Sequence, residues 1–295
     1  MVSDILEVSK KMIDIQFLSQ LKRFQIIVKK RVTSSFTGSR KSTSVGSGLI
    51  INDFRPYVQG DDYRAIDWKV FARTDDFFVK RFEEERNLTT HVLIDISKSM
   101  DYGTTKRKKF EYAAMLALGF SYMSARNNEK FHLSLISEQT DYLRANRSSN
   151  QVLGFLKYLN KVKCKGIINF ENEVRKYKKT IKSKSLVVII SDFLFDINQI
   201  RNTLYLFKNH DLRVIQILDK SETNFAVFGS VILEDSETKN KIETYISERK
   251  RQEYREKIYH HILSIEEETL NAHGKFYLFS TEHPLFDAFY KIVNS

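Results

Sequence analysis

The sequence predicts an α/β fold with a mostly parallel central sheet and helices on both faces. Three observations carry that reading. Thr89–Ile94, β-rich and apolar toward its end, and Leu186–Ile190 and Leu212–Leu218, wholly or largely apolar, are strand-length runs of the kind buried on both faces. Segments of helical period separate them, so strand and helix alternate along the chain. Two of the runs end abruptly in acids and hydroxyls: Asp95, Ser97 and Ser99 after the first, Ser191 and Asp192 after the second. Ligands of open α/β sheets bind outside the carboxyl ends of neighbouring strands, where Asp95 and Asp192 are expected to meet.

Taken in order, Ser3 to Lys30 reads as a long helix, with Ser3 as N-cap and Ile13, Phe17, Leu21, Phe24 and Val28 on one apolar stripe that docks on the rest of the chain. Thr33 to Gly48 is a Ser/Thr/Gly-rich linker whose Arg40 and Lys41 are candidates to hold an acidic partner. Residues 52–86 should form a turn at Tyr57–Gly60, a helix at Asp61–Phe71 containing the single tryptophan, Trp68, and a strand at Phe77–Phe82. Arg55, Asp61, Asp62, Arg64, Asp67, Arg73 and Glu83–Glu85 read as a structural ion-pair network tying this subdomain to the sheet, since catalytic carboxylates would need a companion nucleophile that the stretch does not offer.

Thr104–Asn127 is a helix with Phe110, Ala113, Ala114, Ala117, Phe120 and Ser121 facing inward. Lys130–Ser137 alternates as a strand, and its His132 reads as structural. Helices at Ser148–Asn160 and Phe170–Ile181 flank the loop Val162–Asn169, and a helix at Ile197–Asn209 precedes the strand Leu212–Leu218. Phe225–Tyr245 breaks the rhythm as an antiparallel hairpin turning around Asp235–Asn240. Ser247–Ala272 is a charged helix with Tyr254, Ile258, Ile262, Ile265 and Leu270 inward, ended by Gly274. A last strand, Lys275–Phe279, and a helix, Pro284–Val293, close the chain. The division expected is an amphipathic helix at 1–32, a charged and aromatic subdomain at 33–86 and the α/β domain at 87–295.

Composition narrows the function classes. The net charge of +11 is concentrated in residues 1–50, with nine Lys/Arg against three Asp/Glu, and in residues 157–184, with ten against two. The bases are mainly lysines, without interleaved aromatics or arginine clusters, so a nucleic-acid surface is the weaker reading. One cysteine, Cys164, excludes an internal disulfide and fits an inert thiol in a reducing compartment. No apolar run approaches the length of a membrane span, and no signal-peptide core follows Met1, so a cytoplasmic location is expected.

The loop after the first strand bears two readings. Alternate positions of an extended segment point the same way, so Asp95, Ser97 and Ser99 present a carboxylate and two hydroxyls together, a partial oxygen shell for Mg²⁺. The same residues also suit an Asx or Ser turn capping the next helix. A metal-dependent phosphoesterase is the alternative function. Against it, the sequence has no Gly-rich phosphate loop with its lysine, and DISKS lacks the second carboxylate of an Asp-nucleophile phosphatase.

Arg55–Arg73 (RPYVQGDDYRAIDWKVFAR), Phe82–Glu85 joined to Asp95–Met100, and Ser191–Asp192 after its strand together resemble the bacterial family called domain of unknown function 58. That resemblance implies a Rossmann-like von Willebrand A domain with an N-terminal extension. It also implies a metal-ion-dependent adhesion site in which Asp95, Ser97 and Ser99 form the first ligand loop and Asp192 the last, holding Mg²⁺ or Mn²⁺. The threonine such sites take from a middle loop falls here at Gly166–Asn169, which reads GIIN, so Asn169 is the residue there able to offer an oxygen. The implied function is a non-enzymatic protein-interaction module, and the implied partners are a MoxR-type AAA+ ATPase and other von Willebrand A-domain proteins.

Overall fold

The computed structural model describes residues 13, 17, 19–22, 45–59, 61–83, 89–105, 107–137, 141–145, 149–166, 169–224, 227–234 and 241–294. The chain forms two compact units: residues 32–87, and residues 1–31 together with 88–295.

In the smaller unit, β1 (Val45–Pro56) pairs antiparallel with β2 (Phe78–Glu83). The single helix expected over Asp61–Phe71 is instead two pieces, a 3₁₀ turn at Tyr63–Ala65 and α1 (Trp68–Thr74). The cause is a pair of aspartates that each claim a backbone N–H. Asp62 accepts from the Arg64 N–H at 2.9 Å, and Asp67 accepts from Lys69 at 2.9 Å and Val70 at 3.3 Å. A side chain that satisfies orphan donors starts a helix, so the second cap divides the segment at an extended Ile66. Arg55 holds Asp61 with two hydrogen bonds, at 2.6 and 2.7 Å. Trp68 opens α1 and is 57% exposed, meeting Phe71 and Phe77 edge-on. Gly60, Glu84 and Glu85 lie outside the described residues.

The larger unit is built on a six-stranded sheet in the order β10-β7-β6-β3-β4-β5, composed of β3 (Thr90–Asp95), β4 (Phe131–Ile136), β5 (Asp141–Ala145), β6 (Leu186–Ser191), β7 (Asp211–Leu218) and β10 (Lys275–Ser280). Five strands are parallel, and only β5 runs against its neighbour. This is the Rossmann-like α/β architecture that the alternating pattern predicts. Every residue of β3 and β6 is buried, which accounts for the apolar runs Val92–Ile94 and Leu186–Ile190 within them. From β3 the chain moves to β4 and β5 on one side, then returns to place β6 and β7 on the other. The gap between the carboxyl ends of β3 and β6 is therefore the switch point, where an open α/β sheet forms a crevice.

Helix α2 (Lys109–Arg126) packs on β3 and β4 through Phe110, Ala113, Ala114, Ala117, Phe120 and Ser121, all buried as expected. A Cβ at Gly119 would collide with the ring of Phe289 on the last helix, so glycine permits that approach. Helix α3 (Ser149–Leu159) sets Phe155 edge-on against Phe131 of β4. On the other face α4 (Phe170–Lys178), α5 (Ile197–Tyr205) and α7 (Glu248–Asn271) close over Leu93, Val187, Ile189 and Val214. A five-residue helix, α6 (Lys220–Asn224), follows β7, and α8 (Leu285–Asn294) ends the chain. The hairpin expected after Phe225 is present as a separate two-stranded sheet, β8 (Gly229–Glu234) with β9 (Lys241–Ile246); its turn lies outside the described residues.

Several boundaries differ from the sequence reading. Helix α2 begins at Lys109 rather than Thr104, because Thr104 spends both its N–H and its hydroxyl on Asp219. Helix α4 ends at Lys178 rather than Ile181, and α5 ends at Tyr205. Strand β5 falls in a stretch to which the sequence reading assigns no element: a five-residue edge strand, DYLRA, carries too little apolar pattern to stand out. In α7 the inward position belongs to buried Thr269, while Leu270 is 60% exposed. From Ile258, helical spacing gives 262, 265 and 269, and Thr269 tolerates burial by donating its hydroxyl to the Ile265 carbonyl at 2.7 Å. The left-handed residue past this helix is His273 (φ 58°), not Gly274.

Of the N-terminal stripe, Ile13, Phe17 and Leu21 are described, and all three are buried. Asn160 brackets the backbone of Ile13, and Phe17 meets Phe286 at 6.0 Å between ring centroids. Phe24, Val28, Arg40 and Lys41 lie outside the described residues.

Candidate metal centre

Strand β3 ends on Asp95, and its neighbour β6 ends on Ser191 with Asp192 immediately after. Parallel register brings these ends together at the switch point. Asp95 is fully enclosed: Oδ1 accepts from the Ser97 N–H at 2.8 Å, and Oδ2 accepts from the Ser191 hydroxyl at 2.6 Å. The Ser97 side chain adds a third hydrogen bond, and a carboxylate has about four lone-pair sites. Burial, and secondarily the charge of Asp192, push the Asp95 carboxyl up to about 6.

The contact from Ser97 N–H to Asp95 is the Asx turn that the sequence allows. The hydroxyls do something else. Ser97 precedes a 3₁₀ turn, Lys98–Asp101, yet its side chain caps nothing; the Ser97 and Ser99 hydroxyls hydrogen-bond to each other at 3.0 Å. Cis ligands of an octahedral Mg²⁺, each at about 2.1 Å, stand about 3.0 Å apart. Two neighbouring carboxylates, with two hydroxyls at cis spacing, are a donor set that a hard cation fits.

Asn169 sits at the N-cap of α4 and is exposed, and its Oδ1 accepts from the Asn172 N–H at 3.1 Å. Its oxygen is thus used within its own helix. The preceding segment does reach the first loop: Lys98 N–H donates to the Gly166 carbonyl and Lys165 N–H to that of Ile96. Ile167 and Ile168 lie outside the described residues.

Three residues that sequence reasoning missed complete the surroundings. Lys109, the first residue of α2, is fully buried, and its ammonium bonds Asp192 Oδ2 at 2.7 Å and Glu222 Oε1 at 2.6 Å. Burial pulls its pKa down, but Asp192 and Glu222 outweigh that and leave it raised. Glu222 moves up, chiefly by burial. Asp219, at the end of β7, accepts from Thr104, Ser221 and Thr281, and those bonds overcome burial to hold it well below the usual carboxylate range. Asp219 was legible by the same rule as Asp192, an acid closing an apolar strand. Lys109 gave no local signal, since the run KRKK reads as a solvated face.

Phe193 turns the chain away from the site in a left-handed conformation (φ 51°), secured by Ser191 Oγ on its N–H and His261 on its carbonyl. Cys164 is buried, and burial pushes its thiol up to about 12, as an inert thiol requires.

An uncharacterized protein of Mycobacterium bovis, Mb1516, is 24% identical over 230 residues, covering 76% of this chain and 72% of its own. Among solved structures, the chain is similar to the conserved hypothetical protein BatB from Bacteroides thetaiotaomicron, at 11% identity over 70% of this chain and 95% of that one, with a TM-score of 0.44. It is also similar to the VWA domain of SpRpn10, at 12% identity over 70% and 94%, with a TM-score of 0.44. The family model described as protein of unknown function DUF58 matches residues 53–262, well over half of the chain, and the chain belongs to that family.

Proposed function

We propose that the protein is an interaction module of von Willebrand A type that captures a partner through a divalent cation at the switch point. Asp95, Ser97, Ser99 and Asp192 are the residues that would hold Mg²⁺ or Mn²⁺, with Asn169 as a further candidate. The ion would supply an open coordination position for a carboxylate of the partner. The observation that carries the reading is the convergence of two strand-end carboxylates with the Ser97 and Ser99 hydroxyl pair, neither hydroxyl of which serves as a helix cap.

The partner proposed is a MoxR-type AAA+ ATPase, or a second von Willebrand A-domain protein working with it in complex assembly. The module acts by binding rather than turnover: the charge-bearing groups at the site are held in hydrogen bonds or ion pairs, and Lys109 is locked between two acids. No helix among the described residues is long and apolar enough to cross a membrane. A cytoplasmic setting is part of the proposal and accords with the single buried thiol.

The test is capture of the candidate ATPase by immobilised wild type and Asp95→Ala, each with Mg²⁺ and with chelator. The proposal expects capture by wild type in Mg²⁺ only. Equal capture by the variant, or capture insensitive to chelator, would rule out the metal bridge.

A further inference from the structure

A second polar site lies toward the amino-terminal end of the same sheet. His91 on β3, His132 and Ser134 on β4, Leu143 on β5, and Tyr177 and Thr180 at the end of α4 surround a cavity of about 400 Å³, with Lys182 on its wall as well. The parallel register makes His91 and His132 partners on one face, and their rings stack with centroids 4.8 Å apart and planes 8° from parallel. His91 Nδ1 lies 2.7 Å from Tyr177 Oη. Parallel stacked imidazoles keep their lone pairs in separate planes, so the pair cannot converge on one ion. A metal chelate is not what this geometry builds.

Two features point to an anionic ligand. Ser134 is 1% exposed, and its hydroxyl has no hydrogen-bond partner among the described residues. Interior hydroxyls are nearly always paired, because an unpaired one forfeits its hydration with nothing in return. The wall also offers hydroxyls, imidazoles and an ammonium, with no carboxylate among the described lining residues. Beyond the wall, Lys178 meets His210 at 2.8 Å. Burial first, then the neighbouring His132, His210 and Lys178, hold His91 down at about 3, in keeping with a neutral imidazole in a positive field. The basic excess of residues 157–184 is thus partly gathered at this site. A volume of this size suits a small molecule.

We propose that the cavity binds a small organic oxyanion, a phosphate monoester or a carboxylate, with the Ser134 hydroxyl and the Lys182 ammonium on its charged group. The site is separate from the switch point and independent of what binds there.

The experiment is calorimetric titration of the full chain with inorganic phosphate, ribose 5-phosphate and citrate, repeated on Ser134→Ala and Lys182→Ala. At least one probe should bind with a Kd below about 1 mM, and each variant should weaken it about tenfold or more. Which probe binds separates the phosphate from the carboxylate ligand. Ser134→Ala removes a hydroxyl that bonds to nothing described, so it should fold normally. No binding of any probe at about 10 mM overturns the proposal. So does an effect confined to Lys182→Ala, which would be surface attraction, or to Ser134→Ala, or an effect in neither variant.

Discussion

Asp95 and His91 lie four residues apart on one face of β3, both buried, and the same strand has placed them in opposite surroundings. Burial drives each toward its uncharged form, the acid up to about 6 and the imidazole down to about 3. Their neighbours differ. Asp95 faces a second acid across the switch point, whereas His91 faces two further histidines and Lys178. Acids and the Lys109 ammonium gather at the upper end of the strand, and imidazoles and lysines at the lower, so the proposed cation and anion sites lie at opposite ends of one buried strand.

The largest expected effect breaks the charge balance at the upper end. Lys109→Met leaves Asp192 and Glu222 without their shared cation in a buried setting, and removing one partner of such a cluster costs about 3–5 kcal/mol. Urea denaturation reads the loss. A change under about 1 kcal/mol would mean that Asp192 is compensated from elsewhere.

The pH dependence of stability separates the two ends next. His91 binds its proton more weakly folded than unfolded, so its contribution is intact above pH ~6.5 and is lost as pH falls toward 3, by about 2 kcal/mol at pH 5. Asp95 runs the other way: raised when folded, it favours the fold below pH ~4, and that gain fades as pH rises through about 6. His91→Phe should therefore flatten the acid-side decline, and Asp95→Asn should steepen it. The reverse pattern would show the charge environments to be misassigned.

Much of the upper site was legible because its residues are local. Asp95, Ser97 and Ser99 are consecutive alternate positions, and Asp192 follows an apolar strand. Lys109 and Glu222 were not, since a contact spanning 113 residues leaves no trace in periodicity, and a lysine at a helix start reads as exposed. The lower site was invisible for the same reason: His91 reaches Tyr177 across 86 positions, and His132 alone reads as a structural histidine. In the fold, the long buried strands carried a strong signal, while β5 and the split at Ile66 turned on edge pairing and on two competing caps.

The smallest contrast compares two serines. Ser191→Ala removes the hydroxyl on Asp95 and on the Phe193 N–H and should cost about 1.5–3 kcal/mol. Ser134→Ala should change stability by less than about 0.5 kcal/mol. Thermal melts of the two variants in one buffer test this, and equal losses would show Ser134 to be bonded after all.

The central claim is that the switch point holds a divalent cation. Calorimetric titration of Mg²⁺ and Mn²⁺ into wild type and Asp95→Ala, alone and with the candidate ATPase present, tests it most directly. Binding to wild type that vanishes in the variant is expected. No binding to wild type under either condition, or equal binding to both proteins, would contradict it.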